Sequence, residues 1–198
     1  MRFTAIVLST ASIAFSQPAY AIDINPFGYI KDAVEAVAED RSADDIATDT
    51  GIKTKIIATI TDEMGSDMIS FNTDVYEQDV MLTGVVESGA LKTKAGIIAS
   101  GIEGVKKVYN EVLVIPEAKQ KGVVEGFVED TVIEKKTNAL LLDAKGVNVT
   151  NFRWRSVGGH VFLFGRALSK GELKKAIGVV KDIKGVGKVT SRVKVRAK

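Results

Sequence analysis

Val161-Phe162-Leu163-Phe164-Gly165, followed by Gly185-Val186-Gly187-Lys188-Val189, decides the fold, because the chain contains this stretch twice. The earlier copy reads Val80-Met81-Leu82-Thr83-Gly84 and closes on Gly104-Val105-Lys106-Lys107-Val108. The glycines of each pair are 20 residues apart (104 − 84 and 185 − 165), and the copies are offset by 165 − 84 = 81 with no insertion. The same offset pairs Ile52 with Ile133, Ala58 with Ala139, Phe71 with Phe152, Ser88 with Ser169 and Val112 with Val193. Self-similarity at a fixed offset means one structural unit used twice.

Working outward from the repeat, each copy has the same order of elements. In the first, polar residues from Arg41 end in capping residues before a helix from about Asp45 to Met64, with Ile52, Ile56 and Ile60 every fourth position. Ser70–Tyr76 and Asp79–Val86 alternate with period two and read as a hairpin. Ser88 caps a second helix ending near Gly101, and Lys106–Ile115 alternates again if a bend intervenes. The second copy predicts a helix from about Val128 to Leu142 and strands at Val147–Ser156 and His160–Arg166. A helix over Ser169–Asp182 and a strand over Lys188–Arg196 complete it. Ser169-Lys170-Gly171-Glu172 has the form of a capping box, in which Ser and Glu satisfy each other's backbone donors. The fold class is α+β: two αββαβ domains, each a three-stranded sheet with two helices on one face. Their bounds are 44–115 and 127–198, joined by a polar, glycine-containing linker at 116–126. Gly84 and Gly165 are expected where a strand leaves the sheet.

The N-terminus carries an address. Arg2 precedes a mostly apolar run from Phe3 to Phe15, and Ala19-Tyr20-Ala21 has the A-x-A form of a leader-peptidase site. The apolar run is too short for a bilayer, which needs about 20 residues. Residues 1–21 therefore read as a signal peptide, and 22–43 as a lead-in in which Pro26 opens a short helix. The expected location is the periplasm, with the chain soluble or peripheral at a membrane. No cysteine is present, so disulfides and thiolate metal sites are not available.

Catalysis finds little to work with. The single histidine, His160, is expected as an exposed turn residue, and neither a Ser/His/Asp nor a Cys/His set can be placed. Gly158-Gly159 is a hairpin turn and not a phosphate loop. Asp44-Asp45, and Asp74 with Glu77 and Asp79, read as solvated turns in preference to weak cation sites. Neither a cofactor nor a metal is implied, and the chain is expected not to be an enzyme.

Charge says more. Ile22–Ile115 holds 8 Lys and Arg against 17 Asp and Glu, a net of −9; Pro116–Lys198 holds 18 against 8, a net of +10. This asymmetry points the basic half towards a polyanion. An export signal removes nucleic acid from consideration. If Phe152, Trp154, Val161 and Leu163 face the helices, then Arg153, Arg155, Phe162, Phe164 and Arg166 face outward on an open sheet. The matching first-domain positions are Asn72, Asp74, Met81, Thr83 and Val85.

The V-x-L-x-G motif, a small-residue helix and G-V-x-x-V, twice and behind a leader, resemble the BON domain of bacterial cell envelopes. The resemblance covers about Asp44 to Lys198. It implies the αββαβ fold, an envelope role and, in one branch of dual-BON lipoproteins, anionic phospholipid binding by the first helix of the second domain. Here that helix offers Phe127, Val132, Lys135, Lys136 and Leu142, with Val132 at the position of that branch's membrane-inserting tryptophan. That branch is anchored through a lipidated cysteine, which this sequence does not contain. The candidate lipid-binding set is thus Phe127, Val132, Lys135, Lys136 and Leu142 on the helix, with Arg153 and Arg155 on the sheet. The partner is an anionic phospholipid surface. The rival expectation is a protein–protein module, an envelope partner or self-association, in which the oppositely charged halves dock within one chain or between chains.

Overall fold

The computed structural model describes residues 39–116 and 121–196, with the side chains at 66, 68, 69, 121–125 and 127 excepted. The leader and the lead-in helix expected before Glu39 lie outside these residues.

The first unit runs α1 (Ala43–Met64), β1 (Met68–Tyr76), β2 (Asp79–Val86), α2 (Gly89–Gly101), β3 (Lys107–Asn110) and β4 (Leu113–Val114). The second runs α3 (Lys121–Asp143), β5 (Phe152–Val157), β6 (His160–Ala167), α4 (Lys170–Lys181) and β7 (Lys188–Val195). In each sheet the middle strand pairs antiparallel with its hairpin partner and parallel with the strand that follows the crossover helix. The expected bend is present: β3 and β4 are two pieces of one strand on β2, separated by Glu111 and Val112. β7 has no such break.

Ile52, Ile56 and Ile60 bury one side of α1 against Val80, Leu82 and Val86 of β2. Ile133 and Leu141 of α3, with Ala176 and Val180 of α4, do the same against Trp154, Val161 and Leu163. Two placements depart from expectation. Helix α3 starts at Lys121 rather than near Val128, and Val149–Asn151 is a short 3₁₀ turn rather than strand. Gly122 and Gly126 look like linker residues, but a helix tolerates a glycine at a cost of about 1 kcal/mol.

Gly84 and Gly165 do not mark a strand leaving its sheet. They sit inside β2 and β6 at φ of 131° and 107°. A Cβ at either would lie 2.1 Å from the carbonyl oxygen of Ser70 or Asn151 on the neighbouring segment. The backbones approach too closely for any side chain.

Each hairpin turn is held by an aspartate from the preceding helix. Asp49 accepts from the backbone amides of Glu77 and Gln78, both at 2.7 Å. Asp130 accepts from those of Gly158 and Gly159 at 2.6 and 2.9 Å. All four turn residues have positive φ, the I′ geometry that matches strand twist. Asp49 and Asp130 are themselves 130 − 49 = 81 apart, so the repeat carried the signal. At α4, Ser169 accepts from the Glu172 amide at 3.0 Å as expected. The Glu172 carboxylate instead takes the amides of Asn148 and Leu168, at 2.7 and 2.6 Å, clipping α4 to the loop before β5.

Candidate functional site

The sheet face expected to be open is covered. Phe162 and Phe164 of β6 and Val157 of β5 form one buried cluster with Tyr76, Met81 and Val85 of the first unit. The two sheets pack face to face, which gives four layers: helices, sheet, sheet, helices. The alternation of Arg153, Phe162 and Phe164 with their core neighbours was read correctly, but the face is an intramolecular interface.

Charge complementarity closes its rim. Arg155 donates to Asp74 at 2.8 Å, Arg166 to Glu77 at 2.9 Å and Arg192 to Glu111 at 2.6 Å. Arg153 pairs with Glu39, Lys194 with Asp79 and Arg196 with Glu77. Asp74, Glu77 and Asp79 are therefore interdomain partners rather than solvated side chains, whereas Asp44 is exposed and Asp45 bonds Ser42 at the start of α1. Arg153 and Arg155 spend their guanidinium groups here, with side chains 15% and 28% exposed. The sheet arginines thus face a protein surface where an open one was expected, because the acidic half of the chain supplies their counter-charge. Docking within one chain, part of the rival expectation, is the arrangement seen.

The interface has an internal symmetry. Asp74 and Arg155 are 81 residues apart, and so are Glu111 and Arg192. Equivalent residues meet each other only on a two-fold axis. The two units are related by a pseudo-two-fold, and their interface is that of a fused dimer.

A short clip reinforces it. Asp40 accepts from Asn151 and Asn148 at 2.8 and 3.1 Å, and its amide donates to Asn151 at 3.1 Å. Tyr76 donates its hydroxyl to the same asparagine at 3.2 Å, and burial pushes its phenol up to about 12. Arg41 lies 4.3 Å over the Tyr76 ring while pairing with Asp49. Asn148 is thereby tied up, so its Asn-Val-Thr pattern does not present a free side chain. His160 is not an exposed turn residue either. It bonds Thr190 at 2.8 Å and stacks 4.0 Å from Phe162, and burial, then the Lys188 charge, lowers its pKa.

With the sheets consumed, the helical layers remain as outer surfaces. On α3, Ile133, Thr137 and Leu141 point inward. The opposite side carries Val128, Val132 and Leu142, which are 73%, 45% and 69% exposed, with Lys135 and Lys136 also exposed. Spacings of four, three and seven residues (128, 132, 135, 142) put them on one face. Thus Val132, Lys135, Lys136 and Leu142 come together as expected, joined by Val128, which was missed. The side chain of Phe127 lies outside the described residues.

Residues 48–116 and 129–197 each match the family model described as the BON domain. The chain belongs to the BON-domain family. It is 31% identical over 150 residues to osmotically-inducible protein Y of Escherichia coli (strain K12), covering 75% of this chain and 73% of that one. It is 34% identical over 127 residues to an uncharacterized protein of the gshII 5' region of Anaplasma centrale, covering 64% and 82%. It is 31% identical over 114 residues to the outer membrane lipoprotein DolP of Haemophilus influenzae (strain ATCC 51907 / DSM 11121 / KW20 / Rd), covering 58% and 56%.

The two BON domains make a built-in comparison. Subtracting 81 from Val128, Val132, Lys135 and Leu142 gives Ala47, Gly51, Thr54 and Thr61 on α1, all exposed. The same helix folds in the first BON domain without valine or leucine at these places and with one lysine of the pair, Lys55 standing where the second domain has Lys136. Packing therefore does not demand them in the second. On the inner side of α3, Glu134 accepts from the Ser156 amide at 2.8 Å, and burial raises its pKa against the lowering pull of Arg155. Among the described residues no helix is long and apolar enough to cross a membrane.

Proposed function

We propose that the chain is an exported, non-catalytic protein of the bacterial envelope whose second BON domain binds anionic phospholipid surfaces through the outward face of α3. One observation carries the reading: Val128, Val132 and Leu142 stand exposed beside Lys135 and Lys136 at positions where the first BON domain has small residues and one lysine. Two lysines beside three exposed apolar side chains match a membrane interface, where headgroups take the charge and the acyl boundary takes the carbons. The exposed carboxylates Glu129 and Asp143 flank the Lys136 side of the face and limit its positive charge. Each lysine near an anionic surface contributes about 1 kcal/mol. Further burial of the three side chains adds apolar transfer at about 25 cal/mol per Å². The sum gives reversible attachment. The leader-like residues 1–21 support a periplasmic location, and the name of one relative, an outer membrane lipoprotein, agrees with an envelope site.

Flotation with vesicles tests it. The mature chain should float with phosphatidylglycerol-containing vesicles and remain at the bottom with pure phosphatidylcholine. Lys135→Glu with Lys136→Glu should weaken binding roughly tenfold to a hundredfold, allowing for charge reversal and salt screening. Equal flotation with both vesicle types, or with neither, contradicts the proposal.

A further inference from the structure

We propose that α4 of the second BON domain is a second membrane-contacting element, so that the domain lies flat with both helices against an anionic bilayer. This rests on the α3 reading and extends it to a surface with different chemistry. The outward face of α4 carries Lys170, Lys174, Lys175 and Lys181, all exposed. Its inward face buries Glu172, Ala176 and Val180. Among the described residues, Lys170, Lys174 and Lys181 have no ion-pair partner, unlike Arg153, Arg155, Arg166, Arg192, Lys194 and Arg196 on the sheet side.

The repeat again supplies the control. Subtracting 81 from Lys170, Lys174 and Lys181 gives Gly89, Thr93 and Ser100 of α2, so the equivalent helix forms on the first domain's sheet without charges at these places, its own lysines being Lys92 and Lys94. They are additions to the fold. Helices α3 and α4 pack on one side of the sheet, since residues of both share its core. The other side is covered by the first BON domain. Their outward faces therefore belong to one surface, the broad one that this domain has left. Lys175 donates to the Lys145 carbonyl at 2.5 Å, which ties α4 to the segment after α3. Asp182 shares the outward side of α4 and leaves its net charge positive. The apolar side chains of α3 favour a bilayer over a soluble polyanion as the occupant.

The absence of cysteine allows single-site labelling. Gly178 lies among the α4 lysines, and a Cβ there meets nothing within 4 Å, so Gly178→Cys accepts a polarity-sensitive dye without strain. Val132→Cys reports on α3. With phosphatidylglycerol-containing vesicles both dyes should shift to the blue. Lys170→Glu, Lys174→Glu and Lys181→Glu together should lower affinity at least tenfold at unchanged melting temperature. If the Val132→Cys dye shifts while the Gly178→Cys dye does not and the triple variant binds like wild type, α4 is not a contact and the α3 reading stands. If wild type does not bind and neither dye shifts, the α3 reading falls and takes this proposal with it. Binding of polyphosphate with no dye shift on vesicles assigns the lysines to a soluble polyanion and overturns the membrane contact.

Discussion

Phe162→Ala separates the two roles of strand β6. Phe162 is 0% exposed and lies in the cluster between the domains, while its neighbours Val161 and Leu163 lie in the core of the second domain. Truncating a fully buried phenylalanine costs about 3 to 5 kcal/mol, the lower end where the site can collapse. An interface between two packed domains can close part of the gap, so about 3 kcal/mol is expected. At 2 to 4 °C per kcal/mol for a chain of this size, the first melting event should drop by roughly 6 to 12 °C. The loss falls on docking, so the wild type should melt in a single transition and the variant in two. Trp154 is the only tryptophan, and it lies in the second domain's own core with its indole N–H donating to the Glu134 carbonyl at 3.2 Å. Its fluorescence therefore reports the second domain alone and should follow only one of the two events, while calorimetry records both. If fluorescence and calorimetry report one shifted, coincident transition, Phe162 belongs to the domain core. An unchanged Tm would mean that the sheets do not pack in solution.

Three other perturbations reach different parts of the account. Gly165→Val places a side chain against the Asn151 carbonyl at a φ that valine does not adopt, so a loss of more than about 3 kcal/mol, or failure to fold, is expected; wild-type urea unfolding would refute the close approach. Glu134→Gln tests burial of a carboxylate. The pKa of Glu134 is raised above 4.5 in the fold, so the native state holds its proton longer than the unfolded chain does, and ionising it costs stability as pH rises from about 4.5. The variant should gain on wild type between acid and neutral pH and match it in slope below, which melts across that range will show. Val132→Trp enlarges the apolar tip of α3 and should tighten binding to phosphatidylglycerol-containing vesicles several-fold without moving Tm, because residue 132 is nearly half exposed.

The fold was legible because the repeat supplied two readings of each element. Ser88 and Ser169 cap their helices as read, accepting from the Leu91 and Glu172 amides. What covers the outer sheet faces was not. Charged residues alternating with core residues look the same whether water or an oppositely charged domain lies beyond them. Arg155 and Asp74 each suggest a solvated strand until the two sheets are stacked. The opposite net charges of the halves were the available signal. The clip at Glu39 to Arg41 left no trace, since its partners Asn151 and Arg153 lie over a hundred residues away. On α3 the periodicity alone could not tell whether Val132 joins the core. The structure answers that, because Ile133, its neighbour, takes the inward place.

The most direct measurement is hydrogen exchange along the full mature chain, with and without phosphatidylglycerol-containing vesicles. Peptides from Val128 to Leu142 should gain protection on binding, while those from α1, its counterpart in the first BON domain, should not change. Protection confined to α1 and α2, or none on α3 at vesicle concentrations that bind the protein, would contradict the claim that the second domain's helical layer is the membrane surface.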